Sequence, residues 1–383
     1  MKPWLAILTV AFVACADRNP AGIVIPDGNP ALFRWELPPG FPAPIVPADN
    51  PMSAAKVELG RRLFYDTRLS GVQNFSCSSC HRQENAFADA RNIPFGSTGE
   101  PHPRNSMGLT NVAYQPALGW ADPTVRQLER QAPIPMFGDA PVELGLKGLE
   151  SVLLQRLEAI ALYRHLFQAA FPNEPDPITI DNVVRAIASF ERTFLSGDSR
   201  YDRYLRGNKA AISEAAKRGE ALFRSERLKC AQCHDGTLFT TFSIYVGAPV
   251  RQLVFINTGL YNVGGAGAYP EPNTGLVGHT GAASDMGKFK VPTLRNIDLT
   301  FPYMHDGSLG SLGEVIDHYA AGGRTVASGV HAGDGSRNPF KDPRVAGFVI
   351  SAAEKADLIS FLQSLTDSAF IANPRLSNPW IVR

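Results

Sequence analysis

The chain has 383 residues, with 37 lysines and arginines against 36 aspartates and glutamates. This length predicts two domains, and the balanced charge gives no reason to expect nucleic acid as a partner. Five cysteines are too few for a fold that is held together by disulfides. The 34 glycines and 30 prolines predict long ordered loops between the regular elements.

The N-terminus predicts an exported protein. Residues 1–14 carry one lysine and then an apolar run that is too short to span a bilayer, which is typical of a secretory signal peptide. Cys15 follows directly, in a stretch F-V-A-C that is similar to a bacterial lipoprotein cleavage box. We expect a lipid anchor at Cys15, with ordinary cleavage nearby as the alternative. Residues 15–50 form a proline-rich lead that would space the remaining chain from a membrane.

Two short motifs carry the chemistry. The first, SCSSCH, holds Cys77, Cys80 and His81, and KCAQCH repeats the arrangement about one domain length later, with Cys230, Cys233 and His234. C-x-x-C-H is the attachment signal of c-type haem, in which both thiols bond to the haem and the histidine binds its iron. A disulfide does not require the histidine, and a zinc site built on either motif lacks a fourth ligand. We therefore expect two covalently bound haems.

Each motif follows a similar stretch of chain. KVELGRRLFYDTRLS precedes the first motif and AAKRGEALFRSERLK precedes the second. Both stretches read as a helix with a G-x-x-L-F core and a polar turn. This repeat predicts a mainly α-helical fold of two tandem cytochrome c-like domains joined by long loops. We place the domains at residues 51–207 and 208–366, with a C-terminal tail at 367–383.

A short helix is predicted downstream of the second motif. Ser311 and Glu314 make a capping box, and Gly322-Gly323 is a stop signal, so residues 312–321 are expected to be helical. One stripe of this helix should face inward because its members recur at helical spacing. The stripe consists of Leu312, Val315, Ile316 and Tyr319.

This helix matters because it could supply the second axial ligand of an iron. Whether that ligand is present determines whether the haem transfers electrons or reacts with a substrate. An iron with protein ligands on both faces passes electrons, whereas an open position allows reaction with peroxide. Tyr319 is the inward candidate for the second haem, and His318 is turned about one residue-step aside. Met304 and His305, in the turn PYMHDG, are rival ligands.

Several blocks of the sequence resemble the bacterial di-haem cytochrome c peroxidase family, which includes the MauG branch. They occur in the same order between about residues 50 and 365 and read ELGRRLFYDTRLS with SCSSCH, RNSMGLTNVAY, PMFGDAPVELG, CAQCH and KVPTLRNIDLTFPYMHDG. The resemblance implies that the N-terminal haem reacts with peroxide and the C-terminal haem transfers electrons. The distal ligand of the latter is methionine in ordinary peroxidases and tyrosine in the MauG branch, and Tyr319 stands at the matching position.

The resemblance also implies a distal pocket for the first haem. Glu143, in the loop RQAPIPMFGDAPVELG of residues 130–145, matches the family's acid–base glutamate, with Gln131 and Pro135 as its pocket neighbours. By itself, Glu143 would read as a solvated acid that caps the following helix. His102 is a further candidate, as a mobile loop histidine that completes the coordination of this haem in an inactive state.

Two more features are implied in the same way. Trp120 matches the tryptophan that relays electrons between the two haems, and a buried packing residue is the alternative. A calcium ion is expected between the haems, bound by the Asn105 side chain and the carbonyls of Thr300 and Pro302. Oxygen ligands supplied by turns suit this hard cation.

The sequence thus predicts a periplasmic di-haem oxidoreductase that uses hydrogen peroxide. Its electrons would come from a small redox protein, a cytochrome c or a cupredoxin, or in a MauG-type enzyme from a protein or organic substrate. Tyr319 favours the MauG type. The alternative from another class is a non-enzymatic di-haem electron carrier, in which both irons are six-coordinate.

Overall fold

The computed structural model describes residues 25–241, 243–249 and 252–381. The predicted signal peptide and the predicted lipid anchor at Cys15 therefore lie outside the described residues. Within those ranges, every helix is too short or too polar to cross a bilayer.

Short α-helices joined by long loops make up most of the regular structure, which confirms the prediction of a mainly helical fold. The α-helices of the described ranges are α1 (Ala54–Tyr65), α2 (Leu128–Gln131), α3 (Pro133–Phe137), α4 (Glu150–Glu158), α5 (Ala161–Ala170), α6 (Ile180–Glu191), α7 (Arg200–Leu205), α8 (Glu214–Phe223), α9 (Val277–Thr280), α10 (Leu312–Ala320), α11 (Ala352–Ser364) and α12 (Ser368–Ile371). The strands are β1 (Phe255–Ile256), β2 (Phe289–Lys290), β3 (Thr325–Val326) and β4 (Gly333–Asp334). β1 pairs with β2 and β3 with β4, both antiparallel.

The two repeated stretches form equivalent helices, α1 and α8. Helix α1 packs against α6, and α8 packs against α11. A Cβ atom on Gly60 would lie 1.9 Å from the carbonyl oxygen of Ala186, and one on Gly219 would lie 2.0 Å from that of Asp357. The glycine of each G-x-x-L-F core therefore lets two helix backbones approach more closely than any other residue would allow.

Two hydrophobic cores carry one haem motif each. The first is built largely on α1, α5 and α6 and includes Cys77 at its edge, and the second is built on α8, α10 and α11 and includes Cys230. The predicted C-terminal tail belongs physically to the first core, where Phe370 and Leu376 are buried. Its Trp380 donates its indole N–H to the carbonyl of Arg62 over 3.1 Å. The segment from Phe370 to Trp380 thus returns to the N-terminal core.

Residues 130–145 are not the continuous loop that the sequence predicted. Helices α2 and α3 occupy the first half of this segment, and Pro133 stands in the first turn of α3. Proline suits that position because the first amides of a helix have no partner within it. The candidate acid Glu143 follows in the short loop after α3.

Candidate haem sites

The cysteines of both motifs have the chemistry that haem attachment needs. Cys77 and Cys80 bound a 3-10 turn, as do Cys230 and Cys233, and all four thiols are free of disulfide bonds. Burial raises the pKa of each thiol. The thiols are therefore neutral and free to bond to a haem, and Cys77 and Cys230 pack against the two hydrophobic cores.

The two histidines are held by the same device. Nδ1 of His81 lies 2.8 Å from the carbonyl oxygen of Phe87, and Nδ1 of His234 lies 3.1 Å from that of Phe239. A carbonyl can only accept, so Nδ1 carries the proton and Nε2 is left to bind iron. Burial lowers the pKa of both imidazoles, that of His234 to about 4, which keeps the rings neutral as ligation requires. Phe87 and Phe239 both adopt left-handed backbone angles, with φ of 62° and 51°.

A cavity of about 250 Å³ adjoins the second motif. It brings the motif together with residues that lie far apart in the sequence, including three of the candidate ligands. Its walls include Cys230, Cys233, His234, Trp120, Asn105, Thr300, Pro302, Met304, His305 and Tyr319. A mostly apolar cavity with two free thiols and an imidazole fits a c-type haem.

Helix α10 forms as the sequence predicts and places Tyr319 in the cavity wall. The Ser311 hydroxyl accepts the amide of Glu314 over 3.2 Å and caps the helix. Burial raises the pKa of the Tyr319 phenol, so the phenol stays protonated unless a cation compensates the charge of the phenolate. His318 lies off the cavity wall, but it is buried at 4% exposure, and neither ring nitrogen has a hydrogen-bond partner.

The two rival ligands share this cavity. The His305 ring stacks on Phe289 with the ring centroids 3.6 Å apart, and its buried Nε2 has no hydrogen-bond partner. Met304 adopts a left-handed backbone conformation, with φ of 71°. Tyr319, Met304 and His305 are therefore all within the same pocket, and the identity of the ligand stays a prediction.

Glu143 lies on the side of the first motif. Its carboxyl group is close enough to raise the pKa of both Cys77 and Cys80. Its backbone carbonyl accepts the amide of Ser97 over 2.7 Å, and the next amide, of Leu144, donates to the carbonyl of Pro135 over 2.9 Å. Burial raises the pKa of Glu143 to about 7, so the side chain can hold or release a proton at neutral pH.

Of the further residues predicted for this pocket, Gln131 lies on a helix and His102 on a loop. Gln131 ends α2 and is half-buried. Nε2 of His102 lies 3.8 Å from Oε1 of Glu143, while its Nδ1 contacts the backbone carbonyl and amide of Arg104 at 2.9 and 3.1 Å. The sequence treated His102 as a candidate iron ligand, and no local pattern pointed to its contact with Glu143.

Trp120 and Asn105 are linked directly. The indole N–H of Trp120 donates to the backbone carbonyl of Asn105 over 2.8 Å. The Asn105 amide nitrogen donates to the carbonyl of Arg91 over 3.1 Å, which leaves its amide oxygen available to a cation. Within the described ranges, no group of three or more His, Cys, Asp or Glu side chains could hold a metal, and the set predicted for calcium consists of amide and carbonyl oxygens instead.

The paired thiols, the oriented histidines and the helical fold define a c-type cytochrome with two haem sites. A family model described as di-haem cytochrome c peroxidase matches residues 54–210. The chain is 35% identical over 379 residues to cytochrome-c peroxidase IdrP1 of Pseudomonas sp. (strain SCT), covering 95% of this chain and 91% of that protein. It is 33% identical to methylamine utilization protein MauG of Methylophilus methylotrophus, covering 89% and 90%. The chain belongs to the di-haem cytochrome c peroxidase family and is a haem peroxidase.

Solved structures agree with this assignment. A MauG-like protein associated with microbial copper homeostasis is 47% identical, has a TM-score of 0.89 and covers 91% of this chain and 100% of its own. The diheme peroxidase BthA from Burkholderia thailandensis E264 is 21% identical, with a TM-score of 0.64 and coverage of 84% and 88%. The second likeness concerns the fold alone.

Proposed function

We propose that this chain reduces hydrogen peroxide at the N-terminal haem site, with electrons supplied through the C-terminal one. The observation that carries the proposal is Glu143, whose carboxyl group lies near the first motif and whose pKa burial raises to about 7. Cleavage of an O–O bond needs a group that takes a proton from one oxygen and returns it to the other. When bound, the haem supplies an iron that takes up peroxide and is oxidised.

In this proposal, His81 would hold the first haem through Nε2, and Glu143 would move protons in the pocket beside it. The backbone around Glu143 is fixed by two hydrogen bonds, from the Ser97 amide to the Glu143 carbonyl and from the Leu144 amide to the Pro135 carbonyl. Gln131 would line the same pocket. A carboxyl group that titrates near neutral pH is matched to both halves of the proton transfer, because it is neither a very weak base nor a very weak acid there.

Tyr319 supports a MauG-like mechanism at the second site. It faces the same cavity as His234, and a phenolate ligand would stabilise ferric and higher oxidation states relative to a methionine thioether. A site of this kind would draw electrons from a protein or organic substrate, whereas Met304 as ligand would suit a donor such as a cytochrome c or a cupredoxin. We favour Tyr319.

Trp120 would relay electrons between the two sites, and a calcium ion would stabilise its surroundings. The indole is bonded to the carbonyl of Asn105, and the Asn105 side chain is a proposed calcium ligand with the carbonyls of Thr300 and Pro302. A cation bound at Asn105 would thus hold the Trp120 indole in position.

We place the protein in the periplasm, with residues 51–207 and 208–366 as its two cytochrome domains. The signal-like residues 1–14 support export, and Cys15 would anchor the mature protein to a membrane. One similar protein of known structure is associated with microbial copper homeostasis. Copper homeostasis is therefore the first physiological process in which to test this protein.

The proposal is tested by mixing the ferric holoprotein with one equivalent of hydrogen peroxide in a stopped-flow spectrometer. We expect a rapid change in the Soret band, followed by a slower return that a reducing substrate accelerates. A spectrum that does not change would instead support the non-enzymatic electron carrier.

A further inference from the structure

Two tyrosines lead from the cavity that Tyr319 lines towards the protein surface. The Tyr269 ring lies 6.2 Å, centroid to centroid, from the rings of both Phe289 and His305, which line this cavity together with Tyr319. The Tyr269 ring meets the Tyr261 ring edge to face, with the centroids 5.6 Å apart. Tyr269 is 4% exposed, and Tyr261 is half-buried. The path thus runs from the cavity wall to a residue that reaches solvent.

Tyr261 has the partner that a redox-active phenol needs. Its hydroxyl donates to Oδ2 of Asp306 over 2.7 Å. The Arg324 guanidinium lies 5.6 Å from the centre of the Tyr261 ring, and the His331 ring lies 6.1 Å from it. Val330, next to His331, is 89% exposed. Tyr261 therefore lies beside the exposed connection between β3 and β4 and is hydrogen-bonded to a carboxylate that can accept its proton.

We propose that Tyr261 is the residue at which electrons from an external donor pass into the C-terminal haem site, with Tyr269 as the connecting ring. This inference rests on the proposed function, because hydrogen peroxide is the oxidant. Each peroxide takes two electrons and two protons to give two waters, so Tyr261 acts twice per peroxide.

In each step Tyr261 loses one electron towards Tyr269 and the second haem site, and its phenolic proton moves along the hydrogen bond to Asp306. The resulting neutral tyrosyl radical takes one electron from a reducing donor at the surface. The proton then returns from Asp306 to the phenolate oxygen, which restores Tyr261. For each peroxide the donor loses two electrons and solvent supplies the two protons, and Tyr261 and Asp306 are unchanged overall.

A second tyrosine near this haem site provides a matched control. Tyr201 also donates its hydroxyl to a carboxylate, that of Glu220, and it packs against Phe239, whose carbonyl holds His234. Tyr201 also contacts Phe361 and Tyr204, and Tyr204 does not line the cavity. The connection from Tyr201 towards His234 runs through Phe239, whose benzene ring is much harder to oxidise than a phenol.

The experiment compares the wild-type holoprotein with Tyr261→Phe, Tyr201→Phe and Asp306→Asn. Each protein is mixed with one equivalent of hydrogen peroxide and a nitroso spin trap, without donor. The decay of the oxidised spectrum is followed, and the trapped peptide is located by mass spectrometry. We expect the wild type and Tyr201→Phe to carry the adduct on Tyr261. Tyr261→Phe should lack that adduct, and its oxidised spectrum should decay several-fold more slowly.

Asp306→Asn keeps the Tyr261 ring and removes the proton acceptor, so its oxidised spectrum should also decay more slowly. This second variant tests the proposal even if Tyr261→Phe folds poorly. Equal decay rates in all four proteins, or a wild-type adduct on a residue other than Tyr261, would overturn the role of Tyr261. Neither result would contradict the proposed function. A wild type that does not react with peroxide would overturn the proposed function and this inference together.

Discussion

The imidazole Nε2 of His102 lies 3.8 Å from a carboxylate oxygen of Glu143. The two residues come from separate loops, which are joined by the backbone bond from Ser97 to Glu143. The proposed acid–base group of the first haem site therefore has a second titratable group beside it. With Nδ1 of His102 bound to the Arg104 backbone, Nε2 is the nitrogen that faces the carboxyl group.

Glu143→Gln should slow the reaction with peroxide by roughly 10²–10⁴-fold, because an amide cannot carry the proton between the peroxide oxygens. The rate of the Soret change under excess peroxide measures this loss. Glu100→Gln is the matched control, since Glu100 lies on the neighbouring loop and only accepts the amide of Val142. Equal losses in the two variants would contradict the role of Glu143.

The pH dependence of the same reaction follows from the environment of Glu143. Burial raises the pKa of Glu143 to about 7, so the carboxylate that accepts the first proton is lost as the pH falls below about 7. The wild-type rate constant should therefore rise with pH through the neutral range and level off above it. In Glu143→Gln this rise should be absent. A wild-type rate that is flat between pH 5 and pH 8 would be inconsistent with Glu143 as the base.

Tyr319→Phe should change the spectrum of the second haem and let added cyanide or imidazole bind there, because the variant lacks the proposed phenolate ligand. Ligand titrations followed by optical spectroscopy test this. Tyr303→Phe is the control, since Tyr303 lines the same cavity but donates its hydroxyl to the carbonyl of Ile297. If Tyr319→Phe leaves the spectrum as unaltered as Tyr303→Phe does, Met304 or His305 becomes the better ligand.

Trp120→Phe should slow electron transfer between the haems by about an order of magnitude, since it removes both the indole and its bond to the Asn105 carbonyl. Flash reduction of one haem, with optical detection of the other, measures the rate. Trp380→Phe serves as control, because Trp380 also donates to a backbone carbonyl but lies in the first core. An unchanged rate in Trp120→Phe would assign Trp120 a packing role only.

Gly219→Ala should destabilise the protein by about 3 kcal/mol, because the new Cβ would lie 2.0 Å from the Asp357 carbonyl oxygen and force α8 and α11 apart. Gly313→Ala is the opposite case. It lies in α10 with its nearest neighbour, a Lys355 carbon, at 3.5 Å, so it should stabilise by about 0.5–1 kcal/mol. Denaturant midpoints of the holoproteins test both changes. Similar midpoints for the two variants would show that α8 and α11 have room to adjust.

Local patterns predicted the parts of this structure that depend on neighbouring residues. The repeated G-x-x-L-F stretches marked α1 and α8, and the capping box at Ser311 marked the start of α10. The histidine of each C-x-x-C-H motif could be assigned because the motif fixes its spacing. These features are encoded within a few residues of each other.

Contacts between distant segments were beyond such patterns. Nothing local indicated that Trp380 would return to the first core or that His102 would face Glu143, since both contacts depend on how loops pack. The helical stripe of α10 predicts only that His318 turns aside from Tyr319, and the structure buries it at 4% exposure. The two turns of helix before Glu143 were missed because prolines interrupt the pattern.

The central claim is that the first haem site has an open position facing Glu143, while the second is closed by a protein ligand. Electron paramagnetic resonance of the ferric holoprotein tests it most directly. We predict one high-spin signal from the haem at His81 and one low-spin signal from the haem at His234. Two low-spin signals would show that both irons have two protein ligands and would contradict the account.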